Sequence, residues 1–354
     1  MKIEENYHDS SRNNNFNILR FIAAVFVIIG HMYYITGAVP FVVYGQAVST
    51  IGVKILFLLS GYFITISYLS DDRPRHLIRY AVKRVFRIFP ALIFVVVTSM
   101  VIGSFVSTLS FHDYWGSSQT WRYLNNILMA PRYDLPGVFT DNPYPRAVNG
   151  SLWTMPVELF MYVCVPLFCL FHSRFRVLPG SGIILLFFVV TALRFVLPAM
   201  GIARVVVYGT DWCAALAILP YYLAGCCYAV FRKYKRLWNI QLATLLMFLL
   251  SCSKFGYIIN ELFFLVIFSY FIFSFGCCEN PLFAVCFRDN DISYGMYLWG
   301  FPVQQLLVHF FNSNVSFLWY VLMTVAIVIF LSYVSYVYVE KPMIASSRKL
   351  ITKG

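Results

Sequence analysis

Apolar positions along the chain fall in long continuous runs, not in the strict alternation of half-buried strands. Runs at 17–35, 49–69, 88–109, 151–171, 177–198, 212–230, 237–253, 257–275, 292–311 and 317–339 each come near the ~20 residues with which a helix crosses a hydrocarbon core about 30 Å thick. Lipid cannot satisfy open backbone groups, so such runs predict helices. The pattern therefore gives an all-α, polytopic integral membrane bundle of about ten transmembrane helices. Residues 1–16 form a polar N-terminal tail and 340–354 a basic C-terminal one, leaving 17–339 as a single membrane domain. The polar stretch 110–150, rich in Pro, Trp and Tyr, forms an extracytoplasmic loop. No small-residue cleavage site follows the first run, which reads as a retained span and not a signal peptide. No internal repeat of the kind carried by many transporters is present.

Composition sharpens this picture. Hydrophobic residues make up 60% of the 354 and charged residues only 12%, against roughly a quarter charged in soluble domains. A net charge of +12 on a soluble chain would suggest nucleic acid. Here the charges lie between apolar runs, so no nucleic-acid partner is expected. With a cytoplasmic N-terminus the inner side holds Arg73, Arg75, Arg79, Lys83, Arg84, Arg87, Arg174, Arg176, Arg232, Lys233, Lys235, Arg236, Arg288, Lys341, Arg348, Lys349 and Lys353. The outer side holds only Arg122, Arg132, Arg146, Arg204 and Lys254. That asymmetry sets both termini in the cytoplasm. Seven of the nine Cys lie in or beside apolar runs, and no CxxC or Cys/His cluster occurs. Neither a disulfide framework nor a metal site is expected.

Ionisable groups inside spans are costly and mark candidate chemistry. Arg20 and His31 share the first run, eleven residues apart. At 100° per residue they point from one face, about 16 Å apart along the axis. Alone, Arg20 reads as a snorkelling residue or a site group, and His31 as a packing hydrogen bond or a reactive group. The shared face favours a joint role. Glu158, about two turns into the fourth run, calls for a partner, which Arg20, His31 or Lys54 could supply. Lys54 itself is expected to snorkel outward. The Ser60–Gly61 pair permits close helix packing. Arg84 and Arg87 share a helical face and suit phosphate, though such a basic segment also serves topology and anionic membrane lipids. Trp115, Trp121, Tyr123, Tyr133 and Tyr144 could pack on sugar faces or form an interfacial belt.

Five pieces in order resemble the acyltransferase-3 family of membrane acyltransferases. They are Arg20-x10-His31; LFLLSGYFI at 56–64; RVFRIFP at 84–90; SLWTMPVE at 151–158; and SYGMYLWGFP at 293–302 followed by VEKP at 339–342. Together they cover about residues 15–343. The chain departs at Gly300, where many members have histidine, which removes a second histidine from any mechanism carried over. The resemblance implies a bacterial inner-membrane enzyme that takes an acyl group, usually acetyl, from cytoplasmic acetyl-CoA. The acceptor would be a hydroxyl of a cell-surface glycan, such as lipopolysaccharide O-antigen or exopolysaccharide, or of a lipid-linked sugar. Without an esterase-like domain, acetyl is expected to reach the acceptor from the membrane domain itself.

On that resemblance His31 is the general base or a transient acyl carrier, with a neutral imidazole required either way. Glu158 orients it or stabilises the charge that develops on it, and Arg20 holds the donor or the oxyanion. Arg84, Arg87 and Lys83 take the coenzyme A phosphates, and Trp153, Asn149 and Tyr297 the acceptor. Two other readings compete: a carrier or flippase for a lipid-linked sugar, and a scaffold in which the buried charges only lock helices.

Overall fold

The computed structural model describes residues 14–71, 73–175, 181–231, 238–278, 291–312 and 315–353. The basic residues Arg176, Arg232, Lys233, Lys235, Arg236 and Arg288 lie outside the described residues. The long helices are α1 (Phe16–Thr36), α2 (Val48–Leu69), α3 (His76–Val106), α4 (Met155–Phe175), α5 (Ser181–Ala199), α6 (Leu219–Val230), α7 (Ile240–Cys252), α8 (Tyr257–Gly276), α9 (Ser293–Phe311), α10 (Phe317–Ser335) and α11 (Lys341–Lys353). A π-turn, Tyr336–Glu340, joins the last two. Two hairpins, each of two-residue antiparallel strands, are the only sheets among the described residues. The protein is a polytopic helical membrane protein.

Among the described residues, eight helical segments are long and apolar enough to cross a membrane, against the ten runs of the sequence. The two exceptions have distinct causes. The thirteen residues of α7 reach only about 20 Å. α9 is long enough, but it carries Gln304, Gln305 and His309. Fourteen of its nineteen residues are buried among other helices, so its polar groups meet protein and not lipid.

Helix α2 is the axis of the bundle: 78% of its apolar window is buried, against 17% for the peripheral α5. Small residues bring its neighbours close. A Cβ at Gly61 would collide with the Tyr222 carbonyl oxygen, and one at Gly225 with the Leu58 carbonyl oxygen, so α2 and α6 meet backbone to backbone. On the other side Gly52 lies against the Ala23 carbonyl oxygen of α1.

Two features depart from the run lengths. The third helix begins at His76, twelve residues before the apolar run, because the basic segment continues the helix. It spans 31 residues, about 46 Å. The fourth begins at Met155, after a 3-10 turn Gly150–Thr154. That turn is no surface loop: Asn149, Ser151, Leu152 and Thr154 are all buried. It docks on α9, where the Asn149 side-chain amide donates to the Leu298 carbonyl at 3.0 Å and the Tyr297 hydroxyl donates to the Ser151 carbonyl at 3.0 Å. Non-helical backbone is tolerated at such a place because protein encloses it. The rest of the 110–150 segment folds over α9 further toward its C-terminus. Gln305 donates to the carbonyls of Tyr144 and Ala147 at 2.8 and 2.7 Å and accepts from Asn142 at 2.8 Å.

Candidate active site

A cavity of about 400 Å³ opens where α1, α2, α3, α4 and α9 converge, at the end of the bundle that carries the basic 73–87 segment. Arg20 of α1, Ser60 of α2, Arg84 and Arg87 of α3, Glu158 and Tyr162 of α4, and Asp291, Tyr294 and Tyr297 around α9 line it. Five residues singled out from the sequence thus meet here: Arg20, Glu158, Arg84, Arg87 and Tyr297.

Arg20 and Arg87 converge on one carboxylate. Asp291 accepts from Arg20 at 2.9 Å and from Arg87 at 3.2 Å. Its other oxygen holds the first residue of α9, accepting from the Ser293 backbone at 3.2 Å and hydroxyl at 2.5 Å. Burial pushes the Asp291 pKa up, but Arg20 and Arg87, with help from Ser293, outweigh it and hold it down at about 2. Arg87 also donates to the fully buried Glu340 at 2.9 Å. Arg84, three residues away, makes no ion pair within 4 Å among the described residues, although Glu158 lines the same cavity. Its guanidinium lies 5.9 Å from the Tyr80 ring and 6.0 Å from the Tyr162 ring, and its buried Nε lacks a hydrogen-bond partner. Lys83 points elsewhere, to Asp71 at 3.5 Å, and does not line the cavity.

Glu158 takes none of the partners expected for it. Tyr162 and Ser60 donate to its carboxylate, Ser60 at 3.4 Å. Tyr162 is one helical turn along the same helix and was missed from the sequence, although the i, i+4 spacing could have found it. Lys54 does not snorkel. It is fully buried, 2.6 Å from the Gln46 side-chain oxygen and 3.9 Å from Glu261, with the Tyr221 ring 4.7 Å away. Arg194 pairs with the same Glu261. Glu261, Arg194 and Asp291 were missed from the sequence, and Glu340 stood there only as part of the VEKP piece. Glu261 and Arg194 sit inside apolar runs, so the rule that found Glu158 reaches them as well.

His31 does not line the cavity. Its ring meets Phe301 of α9 edge-on at 5.4 Å, and its buried Nδ1 has no hydrogen-bond partner. Both Arg20 and His31 therefore turn toward α9. Arg20 meets Asp291, two residues before its first residue, and His31 meets Phe301 ten residues on, about 15 Å along the axis. The two helices run parallel, and Gln304 of α9 donates to the Ile28 carbonyl of α1 at 2.6 Å. Tyr297, which lines the cavity and contacts Thr154 at 2.6 Å, is one turn short of Phe301. Tyr144 of the 110–150 segment lies 6.0 Å from the same Phe301 ring. A Cβ at Gly300 would come 3.1 Å from Ile28, a tight fit for anything larger at this helix contact. Trp153 is half-buried beside the core, and Asn149 spends its amide on Leu298 and its oxygen on the Ser151 N–H.

Residues 13–337 match the model of the acyltransferase-3 family, described as an acyltransferase domain. The O-acetyl transferase of Shigella phage Sf6 is 27% identical over 348 residues, 95% of this chain and 97% of that protein. Nodulation protein 10 of Rhizobium leguminosarum bv. viciae is 30% identical over 182 residues, 48% of each chain. No solved structure matches. An arginine-lined cavity at one end of the bundle, a histidine further along the helix that lines it, and a family match over residues 13–337 lead to one conclusion: the chain belongs to the acyltransferase-3 family and is a membrane acyltransferase.

Proposed function

We propose that the protein moves an acetyl group from cytoplasmic acetyl-CoA to a hydroxyl of a cell-surface glycan, such as lipopolysaccharide O-antigen or exopolysaccharide, at the bacterial inner membrane. The observation that carries this reading is the cavity, which gathers Arg20, Arg84 and Arg87 at the basic end of the bundle, the end the positive-inside rule assigns to the cytoplasm. The full-length similarity to a phage protein named O-acetyl transferase supports acetyl as the group transferred.

The chemistry divides between the two ends of α1. Arg84, which makes no ion pair within 4 Å among the described residues, meets the phosphates of coenzyme A by charge-assisted hydrogen bonds. The pantetheine arm runs past Tyr297 toward His31, which stands about 16 Å beyond Arg20. There the Nδ1 of His31, unpartnered in this structure, takes the proton of the acceptor hydroxyl as that oxygen attacks the thioester carbonyl. A C–O bond forms, the C–S bond breaks, and the thiolate leaves with the proton as free coenzyme A. Arg20 stays with Asp291 and orders the inner end of α1. Glu158 holds Tyr162 and Ser60 against the cavity wall. Trp153 and Tyr297 border the path by which the acceptor approaches, and Asn149 fixes the turn that carries Trp153.

Binding of coenzyme A to purified protein tests the donor site. Arg84→Ala will weaken it about tenfold, the worth of one charged hydrogen bond. An unchanged dissociation constant moves the phosphate site elsewhere.

A further inference from the structure

The family match ends at residue 337, and the sequence places residues 340–354 beyond the last apolar run. The structure nevertheless brings this segment to the cavity. Tyr336, Ile344 and Arg348 line it, and Glu340 bonds Arg87 from the same helix at 2.9 Å. These residues recur every four positions, so they form one stripe along one face. The stripe starts in a π-turn, Tyr336–Glu340, a local widening often found where a helix serves a site. It ends at Arg348, which is exposed next to the buried Ser347 and so stands at the cavity mouth.

We propose that α11 is a wall of the donor site and that Arg348 binds the 3′-phosphate of acyl-CoA. The inference rests on the reading that acyl-CoA is the donor. The acyl end runs inward toward His31, so the nucleotide end lies at the mouth. A cavity of about 400 Å³ is at the small end for ligand pockets and leaves a nucleotide there. Arg20 and Arg87, deeper in, are bridged by Asp291. A guanidinium at the rim offers the planar fork that suits a phosphate monoester.

The test is calorimetric binding of coenzyme A and of 3′-dephospho-coenzyme A to the full-length protein in detergent. Arg348→Ala will weaken coenzyme A about tenfold and leave 3′-dephospho-coenzyme A unchanged. Arg348→Lys, which keeps the charge but loses the fork, will fall between. Lys349→Ala removes the same charge from the same helix off the stripe and will leave both affinities unchanged. If Arg84→Ala weakens coenzyme A binding but Arg348→Ala does not, the inference is overturned while the donor site stands. Equal losses for both nucleotides overturn the 3′-phosphate assignment. Altered association with anionic-lipid vesicles at unchanged coenzyme A affinity makes α11 a membrane-surface helix instead and also overturns it. If the wild type binds neither nucleotide, the donor reading itself fails.

Discussion

Glu261 faces two cations, Lys54 and Arg194, in the interior of the bundle. Glu261→Gln leaves both uncompensated and will cost about 3–5 kcal/mol, read as a large fall in thermal stability in detergent. Lys54→Met keeps the Arg194–Glu261 pair and will cost far less; equal losses would mean that the pairing does not govern stability. Asp291 carries a pH signature. Its pKa falls from an ordinary 3.8 to about 2 on folding. A depressed carboxylate contributes stability that is whole above the unfolded value and is lost as pH falls through the folded one. The stability gap between wild type and Asp291→Asn will therefore be constant above about pH 5 and shrink between about pH 4 and 2. A gap independent of pH across that window would show that Arg20 and Arg87 do not act through the Asp291 charge. At this scale the cations of the site were more legible in the sequence than their partners. Arg20, Arg84 and Arg87 stand in recognisable motifs, whereas Asp291 sits just before an apolar run and reads as an ordinary boundary residue. Its meaning comes from α1 and α3 converging on it across more than 200 positions of chain.

At the scale of elements, the closest helix contact is set by glycine. Gly61→Val will drive a branched side chain into the Tyr222 carbonyl and will prevent recovery of folded protein. Gly116→Ala, which meets nothing within 4 Å, will be silent in the same expression and size-exclusion assay. Run length found nearly every helix, because hydrocarbon demands continuous apolar sequence. It failed where protein replaces lipid as the surroundings. The polar face of α9 is hidden by its neighbours, the basic start of α3 stays helical beyond its apolar run, and the Gly150–Thr154 turn is buried although it is not helical in the α sense. None of these leaves a mark in the hydropathy of a single segment, since each depends on what another segment covers.

For the whole molecule, the arrangement assigns its two ends different tasks. The basic end holds the arginine cavity, while the 110–150 segment covers the other end of α9 and reaches the ring that touches His31. Sidedness is open to a direct check. A membrane-impermeant thiol reagent will label Lys254→Cys in intact spheroplasts, above the background of native cysteines, and Lys349→Cys only after permeabilisation. The reverse pattern would put the cavity on the wrong side for a cytoplasmic donor. A carrier or a scaffold would share the helices and the buried charges, but neither would transfer an acyl group. The decisive measurement is therefore transfer itself, from labelled acetyl-CoA to a glycan acceptor by purified protein in lipid vesicles. The account predicts labelled glycan with the wild type and none with His31→Ala, whose elution and thermal stability stay those of the wild type. Acetylation by His31→Ala near the wild-type rate, or sugar movement by the wild type with no labelled product, would contradict it.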